Sequence, residues 1–217
     1  MNKVYIFSGL GVDRRVFDHI DFGNLDVEFI DWITPLTNES LEDYVKRISL
    51  KITTENPILI GLSFGGMVAV EISKILKTEK TILIASAKNK LELPRFNRIS
   101  GKLKLNKLIP KSIFKKQNFI TNWLFGIEID SEKLLLKNIL KDTDPKFFAW
   151  AINEIVNWKN ETIPENIIHI HGNKDRIIPF KNVKADFVIE GGGHFMTVNK
   201  AGEIEKIIKS VIKKDSK

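Results

Sequence analysis

Residues 61–66 of the chain read GLSFGG and directly follow the apolar run PILI. The stretch from Gly61 to Gly65 matches G-x-S-x-G, the pattern of a serine held on a sharp strand-to-helix turn with its hydroxyl exposed. A serine hydroxyl is a weak nucleophile, so it needs a base, and the base needs an acid to orient it. Four histidines are available. His194, in EGGGHF, follows the last strand-like run on a glycine-rich loop able to fold back over a sheet edge. His169 and His171 alternate along one strand-like run and so share a face; a metal pair there has no carboxylate constellation beside it. His19 lies in an early acidic stretch and reads as part of a surface helix. For the acid, HIHGNKDRIIP places Asp175 just past a strand end, whereas the strand end after KTILIAS offers only Ala87, Lys88 and Asn89. Blander readings compete: a glycine-rich loop that contains Ser63, an Asx turn at Asp175, and an idle loop histidine at 194.

These residues need elements to position them. Short apolar, β-branched runs recur, each followed by turn signals and then helical spacing. The runs are KVYIFSG, DVEFIDW, PILIGLS, KTILIAS, NIIHIHG and ADFVIEGGG. Leu41, Tyr44, Val45, Ile48 and Ile52 share one helical face, with Ser40 as the N-cap. Ile204, Ile207, Ile208, Val211 and Ile212 form a stripe on a final helix. Strands that are apolar throughout and alternate with helices predict an α/β fold: a mostly parallel six-stranded sheet with helices on both faces. Sites in such sheets collect beyond the carboxyl ends of strands, where Ser63 falls.

The alternation breaks between residues 88 and 162, a segment too long for a plain connection. It reads as helices punctuated by Pro94, Pro110 and Pro145, hence as an inserted helical lid, with residues 1–87 and 163–217 forming the core. The excess positive charge of the chain lies there: residues 88–116 hold ten Lys or Arg and one acid, Glu92.

Cysteine is absent, which excludes disulfides, thiol catalysis and thiolate metal sites. The first ten residues, MNKVYIFSGL, enter a core-like strand at once, and no uncharged apolar run approaches the roughly 18–20 residues of a membrane helix. The expectation is a cytoplasmic protein without a transmembrane segment.

The order Ser63, Asp175, His194, each after a parallel strand, resembles the α/β-hydrolase superfamily, and the resemblance spans nearly the whole chain. GLSFGG, GNKDRIIP and GGGHF look like its nucleophile, acid and histidine motifs. The resemblance implies a fold lacking the family's first two strands, the lid at its usual place, and catalytic roles for Ser63, Asp175 and His194. It also implies an oxyanion hole from the backbone N–H groups of Phe64 and Leu10. Relatives often carry His-Gly where this chain has Ser8-Gly9, and the acid-to-histidine spacing leaves little room for the usual helix. Serine at the elbow, where dehalogenases and epoxide hydrolases of the superfamily use aspartate, implies hydrolysis of a small-molecule carboxylic ester or thioester. The triad would also serve an acyltransferase or a carbon–carbon bond hydrolase. The other class of reading is a non-catalytic ligand- or protein-binding module on the same fold. No metal or organic cofactor is implied.

Phe114, Phe119, Trp123, Leu124, Phe125, Phe147, Phe148 and Trp150 are candidates for an acyl pocket, Trp123, Phe147 and Trp150 foremost, or else pack the lid itself. The basic stretch reads as a solvated face, as a dock for an anionic substrate or acidic carrier protein, or as a lipid-facing surface with Ile99, Leu103, Leu105, Leu108 and Ile109 among the lysines. No nucleic-acid motif accompanies the charge.

Overall fold

The computed structural model describes residues 3–94 and 118–213. Six strands run through it: β1 (Val4–Phe7), β2 (Val27–Phe29), β3 (Ile58–Leu62), β4 (Lys80–Ile84), β5 (Ile167–Gly172) and β6 (Phe187–Ile189). They form one sheet in the order β2-β1-β3-β4-β5-β6, and every neighbouring pair is parallel. The helices are α1 (Leu41–Ile48), α2 (Phe64–Ser73), α3 (Phe119–Phe125), α4 (Asp130–Asp142), α5 (Pro145–Val156), α6 (Met196–Asn199) and α7 (Ala201–Lys213).

The central strands β1 and β3 are apolar throughout because both faces of the sheet are covered there. Side chains alternate across a strand, so Val4 and Ile6, Ile58 and Ile60, and Ile82 and Ile84 join Ile204 and Ile208 of α7 in one core. Tyr5, Phe7, Leu59 and Leu83 join Tyr44 and Val45 of α1 and Val68 and Ile72 of α2 in the other. Burying each such aliphatic side chain contributes about 1.5–3 kcal/mol relative to exposure. Ser40 caps α1 as its sequence predicts, its hydroxyl accepting from the Asp43 N–H. The helix stops at Ile48, and Ile52 lies past a short 3-10 turn.

The predicted early helix around His19 is instead a 3-10 turn, Arg14–Phe17, and His19 follows it exposed. Between β5 and β6 there is only a 3-10 turn at Phe180–Asn182, which accounts for the short spacing from acid to histidine. Phe114, Ile99, Leu103, Leu105, Leu108 and Ile109, with most of the basic stretch, lie outside the described residues. Among the described residues no helix is long and apolar enough to cross a membrane.

Candidate active site

The site forms where β3, β5 and β6 end. Ser63 joins β3 to α2 with φ 51° and ψ −118°, a left-handed conformation that costs an L-residue about 1–3 kcal/mol. The turn is possible because a Cβ at Gly65 would run into the carbonyls of Phe7 and Ser8, and only hydrogen fits. Beneath it, Ala85 at φ 46° redirects the chain after β4, and the Ser86 hydroxyl donates to the Ser63 carbonyl at 2.6 Å. Ser86 therefore braces the turn, a role its place in KTILIAS did not reveal.

Two other loops converge on this turn. Asp175 follows β5 in a turn where its Oδ1 accepts from the N–H groups of Ile177 (2.8 Å) and Ile178 (2.9 Å). His194 follows β6, and its Nδ1–H donates to Asp175 Oδ2 at 2.7 Å. That bond fixes the tautomer, leaving Nε2 to accept from Ser63 Oγ–H at 2.8 Å. The Asp175 side chain is fully buried and His194 nearly so, whereas Ser63 keeps partial exposure. Burial pushes the Asp175 carboxyl up, but the charge and hydrogen bond of His194, with His171 facing it, hold it below the ordinary carboxylate range. The acid therefore stays ionised beneath the imidazole.

Phe64 opens α2, so its N–H has no intrahelical acceptor and lies at the positive end of the helix dipole. The loop after β1 packs against the same spot: a Cβ at Gly9 would sit 3.3 Å from the Ser63 Cβ. Leu10 follows within a tight turn closed by Val12 N–H to Gly9 O, with Gly11 at φ 71°.

The aromatic candidates separate. Phe147 is buried, stacks on Trp32 at 5.2 Å and lines a cavity of about 300 Å³ beside the β1 loop, with Gly11, Val12 and Trp32. No member of the Ser63–His194–Asp175 line touches that cavity. Trp150 packs on Tyr44 at 4.4 Å and donates its indole N–H to the Glu39 carbonyl, so it braces α5 against α1. Trp123 is 51% exposed, with the Arg176 guanidinium over its ring at 4.7 Å. Phe125 instead meets the His194 ring edge-on at 5.8 Å. Its carbonyl accepts from the Phe195 N–H at 2.9 Å, and Arg176 donates to the Trp123 carbonyl at 2.6 Å, so α3 is tied to both the histidine loop and the acid loop.

His169 and His171 do share a buried face, but both nitrogens of His171 are engaged, one by His169 and one by the Ile178 carbonyl. That leaves His171 no lone pair for a metal.

No protein-family model matches the chain, and no curated protein matches it in sequence. Solved structures do match. Bromoperoxidase from Bacillus anthracis superposes with a TM-score of 0.70 at 16% identity, over 98% of this chain and 92% of that one. MenH from S. aureus gives 0.69 at 16% identity over 100% and 95%. A thermophilic esterase from Thermogutta terrifontis gives 0.67 at 15% identity over 99% and 90%. Six parallel strands in this order, flanked by helices on both faces and matched over nearly their whole length by these structures, make the architecture that of the α/β-hydrolase fold.

Proposed function

We propose that the protein is a serine hydrolase that cleaves a small carboxylic ester or thioester through an acyl-enzyme. The observation that carries this reading is the unbroken hydrogen-bonded line from Ser63 Oγ through His194 to Asp175, with the serine on a strained, partly exposed turn. Ser63 Oγ attacks the acyl carbon while its proton passes to His194 Nε2, and Asp175 stabilises the resulting imidazolium. The N–H groups of Phe64 and Leu10 receive the negative charge on the carbonyl oxygen, each contributing about 3–4 kcal/mol in the transition state. His194 then returns the proton to the leaving alkoxide or thiolate. Water, deprotonated by the same imidazole, releases the acid and restores Ser63.

In this reading residues 88–162 act as a lid, supported by the Phe125 ring against His194 and by the two hydrogen bonds that tie α3 to the catalytic loops. Two of the matched structures are named as an esterase and a bromoperoxidase, so the fold itself does not choose the substrate. The test is turnover of p-nitrophenyl esters and acyl thioesters of graded length by the native protein and by Ser63→Ala. Hydrolysis that disappears in the variant is expected. Ligand binding without any turnover by the native protein would favour a binding module.

A further inference from the structure

The line from Ser63 to Asp175 leaves two buried imidazoles unused, His169 and His171 of β5, both fully inaccessible. His171 Nε2 lies 2.8 Å from the Ile178 carbonyl, which can only accept, so this nitrogen carries the proton. In a neutral ring Nδ1 is then bare and accepts from His169 Nε2–H at 3.1 Å. The same His171 Nε2 stands 3.5 Å from Asp175 Oδ2, the oxygen that holds His194.

The Ile178 backbone is consequently held on both sides of its Cα. Its N–H donates to Asp175 Oδ1 and its carbonyl accepts from His171. Releasing the His171 end frees the turn that aims the carboxylate. Charge matters as well as position. Burial pushes both imidazoles below the ordinary histidine range, strongly for His169, which also faces His171 and Lys88. Asp175 opposes this at His171, while His194 reinforces it. On the far side Asp186 Oδ2 accepts the His169 backbone N–H at 2.8 Å and faces Lys88. A cation at His171 would compete with the His194 imidazolium for the Asp175 charge; a neutral N–H donor holds the turn without doing so.

We propose that His171 is a positioning residue for the acid, a neutral Nε2–H donor that locks the Asp175–Ile178 turn and keeps the carboxylate aimed at His194, with its tautomer set by the Ile178 carbonyl. The proposal rests on the reading of Ser63, His194 and Asp175 as a working triad.

The test compares His171→Gln with His171→Asn. A Gln amide nitrogen falls near the imidazole Nε2 and still reaches the Ile178 carbonyl, whereas an Asn amide falls near Nδ1 and does not. The rate of fluorophosphonate labelling at Ser63 is followed against pH in each, with folding checked by thermal melting. The Gln variant should stay within about threefold of native. The Asn variant should lose about 10- to 100-fold of its plateau, a fraction of the loss that disabling the acid brings. Its acidic limb should move down by about half a pH unit, because a retreating carboxylate stabilises the imidazolium less. Equal behaviour of the two variants, or a lowered plateau with an unmoved limb, would overturn the proposal. Without any variant, ¹⁵N NMR of the native protein should show His171 as a neutral Nε2–H tautomer from about pH 6 to 8. An Nδ1–H tautomer or a protonated ring in that range contradicts it. A native protein that fails to label counts against the Ser63 reading itself, and the proposal goes with it.

Discussion

The backbone N–H of Lys174 donates to the carbonyl of Gly192 at 2.9 Å, one residue before the acid and two before the histidine. Around it, Asn173 Oδ1 accepts from the Gly191 N–H at 2.8 Å, and the Asn173 N–H donates to the Ile189 carbonyl. The loops after β5 and β6 are thus joined by main-chain bonds before the Asp175 and His194 side chains take part. The approach is so close that a Cβ at Gly172 would collide with the Gly192 backbone. The acid and histidine meet because their loops are one unit, and that unit is anchored to two neighbouring parallel strands.

Strain at Ser63 sets stability against function. Glycine adopts the Ser63 conformation without the side-chain penalty of about 1–3 kcal/mol, at a cost of roughly 0.5–1 kcal/mol in unfolded-chain entropy. Ser63→Gly should therefore raise stability by about 1 kcal/mol, seen as a melting temperature higher by about 2–4 °C, while turnover vanishes. A lower melting temperature would show that the turn stores no strain.

Asp175→Asn should leave the fold in place, because the Ile177 and Ile178 N–H groups can still meet the Oδ1 position. The amide would favour the wrong imidazole tautomer, so kcat should fall by about 10³–10⁴ with little change in KM. Steady-state kinetics beside a melting curve checks both halves. A loss below about tenfold would remove Asp175 from the orienting role.

Acid should destabilise the fold from near-neutral pH downward. Unfolded, His169 and His171 take up protons as the pH drops through about 6.5; folded, burial holds their affinities lower. The unfolded state then binds more protons, so stability is complete above that pH and falls below it, by up to about 1.4 kcal/mol per pH unit for each ring. Asp175 adds a later loss: its depressed folded value means its contribution fades only below about pH 4. Urea unfolding at several pH values between 7.5 and 5 should give a clear slope, shallower in His169→Leu. Parallel slopes in the two proteins would contradict this.

The sheet was legible in the sequence because burial on both faces makes the central strands β1 and β3 continuous apolar runs, and because Ser40 and the α7 stripe follow local rules that tertiary context did not override. Ser63, Asp175 and His194 were legible as residues just past strand ends. Other features depend on contacts that no local pattern carries. The Trp150 indole is taken by a carbonyl 111 positions away, and Trp123 turns outward under Arg176. The shared face of His169 and His171 could be read from their spacing, but their bearing on the acid appears only when the turn through Ile178 folds back onto His171. The aromatic residues between 119 and 150 were ambiguous because pocket lining and internal packing use the same residue types.

The central claim is an activated Ser63. The most direct measurement is fluorophosphonate labelling of the native protein and of Ser63→Ala, followed by peptide mapping. The predicted result is a single adduct on Ser63 in the native protein and none in the variant. An unlabelled native protein, or equal labelling of the folded variant, would contradict the account.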